Sequence, residues 1–376
     1  MTASKMRAAL TAILLGTATM TAMALPAQAQ ATVSARVGAA LKEAQALAGA
    51  GNYKAAMAKI NEAENAPGKT SADNAIINQM RNFVAVKSGD TSTPAGAKAK
   101  FANDYNARRW KDVIGAADTL RKHNALGPQE QLLIAQAYYS SGDFAGCSRY
   151  VKTLGNGDTA LELAARCAYE NGDEVTQRQA LETLVARGGK TEHWKSLLRL
   201  AERSRGLSDN NTLDINRIRY ITGNITTKDE YLLLSQLALQ LGNAAEAQGI
   251  VEKGIAAKVL NDERATRLLA LAKTQAAANA ANLQQNTAAG RAQPTGEALL
   301  RVGSDLVSQG KGKEGLPLVQ EALKKPVKDK ANGQITLGRA YLAAGQKADA
   351  QKAFASVKAP AKDAMVAHLW SLAARR

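Results

Sequence analysis

Glycines that close an amphipathic stretch recur along this chain at Gly142, Gly172, Gly206, Gly242, Gly310 and Gly345, several of them followed by Asn or Asp. The intervals are 30, 34, 36, 68 and 35 residues, and the interval of 68 reads as two periods with one glycine lost near Ala276. A period of roughly 34 residues is that of a helix-turn-helix unit, which buries its apolar face only by stacking on copies of itself. Such a period leaves little room for a sheet. Composition agrees, because the 45% of apolar residues are mainly Ala and Leu while aromatics make up 4%, so helix formers outnumber strand formers.

The last unit carries the fullest pattern, Leu337-Gly338-x-x-Tyr341-x-x-x-Gly345 followed by Ala350 and Phe354. It resembles the tetratricopeptide repeat. Small residues at Gly338 and Ala350 let two helices approach closely, and Tyr341 and Phe354 fill the space beside them. Weaker copies keep the register at Gly303, Leu306, Gly310, Gly315 and Val319, with Pro326 as a stop. Others lie at Ala135, Tyr138, Gly142, Phe144, Cys147 and Val151, and at Ser235, Ala238, Gly242, Ala247 and Val251. The first lies at Ala44, Leu47, Gly51, Tyr53, Ala56 and Ile60. The resemblance implies an all-α, right-handed α-solenoid of helix-turn-helix repeats, some degenerate.

Two stretches break the period. Between Gly51 and Gly142 an extra helix is expected, with Thr93-Pro94 starting one helix and Trp110 to Lys122 forming the second of a pair. Residues 207–227 are degenerate. Residues 276–295, rich in Ala, Asn and Gln, read either as a polar linker or as a degenerate helix. The expected organisation is therefore a signal peptide at 1–29, a helical-repeat array at 30–275, that linker, and a two-repeat unit at 296–376 whose terminal helix runs from Met365 to Arg376.

Lys5 and Arg7 head a charge-free run from Ala8 to Leu25, and Ala27-Gln28-Ala29 offers the small-x-small pattern of a signal peptidase site, with cleavage after Ala29. Thr and Gly residues between Thr11 and Thr21 weaken the run as a membrane anchor. An exported, periplasmic protein is expected, with no membrane span in the mature chain. Losing Lys5 and Arg7 lowers the formal charge from +16 to +14. That surplus would suit nucleic acid in the cytosol, but outside it the available anions are lipid headgroups, acidic glycans and acidic proteins.

Catalytic patterns are missing from the sequence. His123, His193 and His368 have no metal-ligand spacing around them, and no phosphate-cradling loop or Gly-x-Ser-x-Gly occurs. No cofactor is implied. Cys147 and Cys167 flank the turn at Gly155-Asn156-Gly157-Asp158, so antiparallel helices leaving it bring the thiols level. In an oxidising compartment these form a disulfide; otherwise they are two buried thiols.

The family resemblance implies that first helices line a concave face. With the turn glycine counted as position 15, its ninth positions are Gln45, Gln136, Gln236, Ser304 and Arg339, extended by Tyr139, Ser140, Gln240, Ser308 and Asn332. These side chains either hydrogen-bond an extended ligand or form a solvated helix face. The expected function is a non-enzymatic periplasmic scaffold that holds a protein or peptide of the cell envelope. The alternative is a factor associated with peptidoglycan or an acidic glycan in polysaccharide export or wall assembly. Oligomeric state is left open.

Overall fold

The computed structural model describes residues 33–376, which form twenty α-helices and no strand. The proposed signal segment 1–29 lies outside the described residues. Two compact units divide between Gly127 and Pro128.

The first unit contains α1 (Ala35–Gly49), α2 (Tyr53–Glu64), α3 (Ser71–Ser88), α4 (Pro94–Asn106) and α5 (Trp110–Lys122). The extra helix expected between two pairs is α3. Thr93 caps α4 through the Gly96 N–H, with Pro94 in the first turn, and α5 has the span read from sequence. Val37, Ala44, Ala56, Ile60, Ile77 and Val84 form its core. Asp73 fastens two helix starts together, accepting the Ser34 N–H before α1 at 2.9 Å and the Thr70 N–H before α3 at 2.9 Å.

The second unit begins with α6 (Pro128–Ser140), α7 (Phe144–Tyr150), α8 (Asp158–Glu170), α9 (Glu174–Ala186), α10 (Thr191–Glu202) and α11 (Asp209–Ile221). It continues with α12 (Lys228–Gln240), α13 (Ala244–Ala256), α14 (Glu263–Ala281), α15 (Leu283–Ala292) and α16 (Glu297–Ser308). The last helices are α17 (Gly312–Ala322), α18 (Lys330–Ala343), α19 (Lys347–Ser356) and α20 (Ala361–Ala373). The expected terminal helix is thus α20, which starts four residues earlier than Met365.

The periodic glycines set the turns. Gly142 and Gly172 have φ of 80° and 71°, a region costly for residues with a Cβ. The acidic residue that follows each caps the next helix: Asp143 accepts the Gly146 N–H at 2.8 Å, and Asp173 the Thr176 N–H at 3.0 Å. That is the physical content of the Gly-Asp pairs. At Gly338 a Cβ would collide with the Phe354 ring, which is why α18 and α19 can pack so closely.

The period fails where the glycine is missing. No turn forms at Ala276; the Ala-rich run propagates α14 to Ala281, and the break falls at Asn282. There α15 packs against α16 and barely touches α14. Residues 276–295 are therefore helix almost throughout, and they do not separate two bodies. Residues 296–376 instead turn back on the array: α20 packs against α9 and α11, and α16 packs against α13. One core joins Trp194, Leu198, Ile215 and Ile218 to Phe354, Val366, Leu369 and Trp370. The expected C-terminal pair thus shares a core with the array, and more than 100 residues of sequence separate the two sides of this core.

Candidate functional site

The closure decides which of the expected concave positions remain open. Arg339 on α18 does not face a groove. It is 7% exposed and stands 3.6 Å from Asp214 of α11, with its guanidinium 5.8 Å from the Trp370 ring centre. Ser304 on α16 donates to Asn243 at 3.1 Å. Asn243 follows a turn glycine but leaves α13 without a side-chain cap, because its oxygen is turned to Ser304. Ser308 donates to the Asp305 carbonyl at 2.8 Å, and the Asn332 N–H is capped by Asp329 at 2.9 Å. The C-terminal repeats thus spend Ser304 and Arg339 on the chain's own α11 and α13.

At the centre of this closure is a buried ionic cluster. Arg217 of α11 grips Glu246 of α13 with two bonds, Nε at 2.8 Å and Nη2 at 2.5 Å, and reaches Asp214 with Nη1 at 2.9 Å. Burial alone would raise the Glu246 pKa, but Arg217 outweighs it and holds the carboxyl below its ordinary value of 4.5. Burial likewise opposes the charge on Arg217, and Glu246 and Asp214 overcome it, so that its pKa rises. Arg339 is less well served: burial and then repulsion from Arg217 push it down to about 10, against the attraction of Asp214 and Glu246. Burial also raises Asp305, which accepts from Asn279 at 3.2 Å through Oδ2 while Oδ1 has no partner among the described residues. A second tie holds the start of α20, where Asn211 Nδ2 donates to Asp363 at 2.6 Å.

Gln236 and Gln240 remain on an open surface. With Leu239 of the same helix and Leu268, Leu271 and Gln275 of α14 they line a groove of about 540 Å³. Leu271 is 49% exposed. Arg264 donates to Gln236 at 3.4 Å and Gln240 to Asp209 at 3.2 Å, so both amides are held in place at the rim. On α6, Gln136 and Tyr139 are half-buried and Ser140 is exposed; the Tyr139 ring meets Phe144 edge-on at 5.6 Å. Gln45 is exposed on α1 of the first unit. The leucines of the groove escaped the sequence reading because nothing in a single amphipathic helix distinguishes a leucine facing a core from one facing a groove.

Cys147 and Cys167 lie at bonding distance, their Cα atoms 5.6 Å apart, and join α7 to α8 inside an apolar cluster with Ala135, Val151 and Leu163. His193 is paired with Glu162 at 3.0 Å and His368 with Glu182 at 3.4 Å, while His123 meets the Thr91 carbonyl at 2.8 Å. No group of three metal-ligating side chains occurs among the described residues. No described helix is long and apolar enough to cross a membrane.

No protein-family profile matches the chain, and no curated protein matches it in sequence. Among solved structures it is similar to Naa15/Naa10 bound to HypK-THB, with 13% identity, 85% of this chain and 52% of that one covered, and a TM-score of 0.30. It is similar to the APC/C hetero-tetramer Cut9-Hcn1, with 11% identity, 89% and 66% coverage, and a TM-score of 0.23. It is also similar to the P58(IPK) TPR domain, with 14% identity, 85% and 91% coverage, and a TM-score of 0.17. The chain spans about half the length of the first of these and two thirds of the second. With scores this low, the tetratricopeptide-like fold rests on this chain's own helix pairs and turn register.

Proposed function

We propose that this chain is a non-enzymatic scaffold of the cell envelope, exported to the periplasm after cleavage behind Ala29, that holds a protein partner in the groove between α12 and α14. The observation that carries this reading is the groove itself. Leu239, Leu268 and Leu271 offer an apolar floor, and Gln236, Gln240 and Gln275 offer amide donors and acceptors at its edge. A partner segment with apolar side chains at helical or alternate spacing would bury them on the leucines while its polar groups met the glutamines. Of the expected concave positions, Gln236 and Gln240 stay exposed here, as Gln45 and Ser140 do elsewhere, while Ser304 and Arg339 are engaged within the chain.

A photo-crosslinking residue in place of Leu271 tests it in living cells. The expected result is a discrete protein adduct in the periplasmic fraction that is lost when Leu268→Arg is added. Adducts indifferent to Leu268→Arg, or none, would move the partner elsewhere. The mature protein from the same fraction is expected to begin at Gln30. A second reading, attachment to an acidic glycan, is favoured by the +14 charge that remains without Lys5 and Arg7.

A further inference from the structure

The closure of the second unit builds a feature that neither arm has alone. Where α11, α18 and α20 begin, an open trough of about 480 Å³ is lined by Ser208 from one arm and by Lys328, Lys330 and Lys362 from the other, with Asp329 and Asp363. We propose that this trough binds a carboxylate-bearing glycan.

The charges decide the sign. Asp363 is buried and engaged by Asn211, and Asp329 accepts the Asn332 N–H at 2.9 Å. Glu297 stands behind Lys328 and accepts its backbone N–H at 2.5 Å. The carboxylates have hydrogen-bond partners in the protein but keep their charge, so the three lining lysines exceed the two lining carboxylates by one. Among the described residues, the ammonium groups of Lys328 and Lys330 reach no carboxylate at ion-pair distance, and Lys362 meets only the Gly206 carbonyl. Lys324 and Lys358, exposed and equally without ion pairs there, extend the positive field along the chain on either side. These lysines supply the charge; the ends of α11 and α18 already carry the side-chain caps Ser208 and Asp329.

The shape and lining select the partner. No aromatic side chain lines the trough, so it offers no stacking surface for nucleobases. None of the exposed large apolar residues lies there either, which leaves nothing to insert into a bilayer. Lysine acts as a point charge without the fork that fixes a single phosphate in one orientation, and so tolerates a string of carboxylates arriving at varied angles. An open trough with a small, neutral floor at Ala331, Ala359 and Pro360 suits a polymer passing through.

This inference deepens the acidic-glycan reading and is independent of the α12–α14 groove. Its test uses the full mature chain with polygalacturonate as the probe, and neutral dextran, polyglutamate and anionic vesicles as comparisons, in affinity electrophoresis. The expected result is retardation by polygalacturonate that is about fivefold weaker in Lys328→Gln/Lys330→Gln. Lys328→Arg/Lys330→Arg is expected to retain it, as is Lys54→Gln/Lys122→Gln, which removes the same charge from the first unit. No retardation, an equal loss in both glutamine pairs, or retention by polyglutamate or vesicles alone would each overturn the proposal. A Leu271 adduct that survives Lys328→Gln/Lys330→Gln would show that such a failure belongs to the trough and not to the groove.

Discussion

Arg217 and Arg339 are both buried arginines in one cluster, and they are not equivalent. Arg217 closes two bonds on Glu246 and one on Asp214, so Arg217→Met strands two buried carboxylates and is expected to cost about 3 to 5 kcal/mol. Arg339 is only 3.6 Å from an Asp214 that Arg217 already satisfies. Arg339→Met therefore orphans nothing and relieves a buried like charge, so it is expected to leave stability unchanged or raise it. Equilibrium urea unfolding of the two variants checks the contrast; equal losses would mean that Arg339 shares the load.

The same cluster sets an acid limit. The Glu246 pKa is lowered by folding, so its contribution is fully present above the ordinary value of 4.5 and is lost as pH falls through and below it. Thermal melts across that window are expected to show a fall in midpoint that is smaller in Glu246→Gln, whose starting stability is lower. At this scale the sequence was partly legible. Gly338 against Phe354 and the Cys147–Cys167 pair could be read from it, because each lies within one repeat or one turn. Asp214, three residues before Arg217 on the same helix, was a local partner; Glu246 could not be read, since a charge says nothing local about a counterion on another helix.

Among the elements, α11 is one that the repeat pattern describes poorly and that lies at the closure. Residues 213–218 are all buried, Asp214, Asn216 and Arg217 among them, so this helix has no solvent face in that stretch. It reads as degenerate because the 34-residue register assumes a single buried stripe, whereas α11 is covered on its far side by α20 as well. A sequence signal was present in the aliphatic residues Leu213, Ile215 and Ile218, which do not share one face and imply burial all round. Deleting the residues from Ala361 onward removes Val366, Leu369 and Trp370 from that core. The truncated chain is expected to melt at least 10 °C lower, roughly, and to bind a hydrophobic dye; an unchanged melt would mean that α20 is dispensable.

The α7–α8 connection offers a further check at this scale. Two alkylatable thiols in unreduced protein would exclude the bridge, whereas none are expected. Reduction opens a link spanning 20 residues and is expected to cost about 3 kcal/mol.

Across the second unit as a whole, periodicity recovers the helices, their turns and the neighbour-to-neighbour packing, and it stops there. A repeat encodes what each unit does to the next, and the lost glycine near Ala276 marks where that rule lapses. From that point the chain makes a long α14, breaks at Asn282 and returns α16–α20 onto α9–α13. The return divides the expected concave face into positions spent internally and a groove left open, and it assembles the lysine trough. The groove itself is lined by α12 and α14 alone, so the proposed scaffold function asks of the closure only that it leave that face open.

The contact between Asn211 and Asp363, with side chains 2.6 Å apart and 152 positions apart in sequence, tests that closure most directly. A double-mutant cycle of Asn211→Ala and Asp363→Ala in urea unfolding reads that contact. The expected result is a coupling of about 1 kcal/mol or more between the two substitutions. Strictly additive losses would contradict the closure, and with it the assignment of Ser304 and Arg339 to the interior.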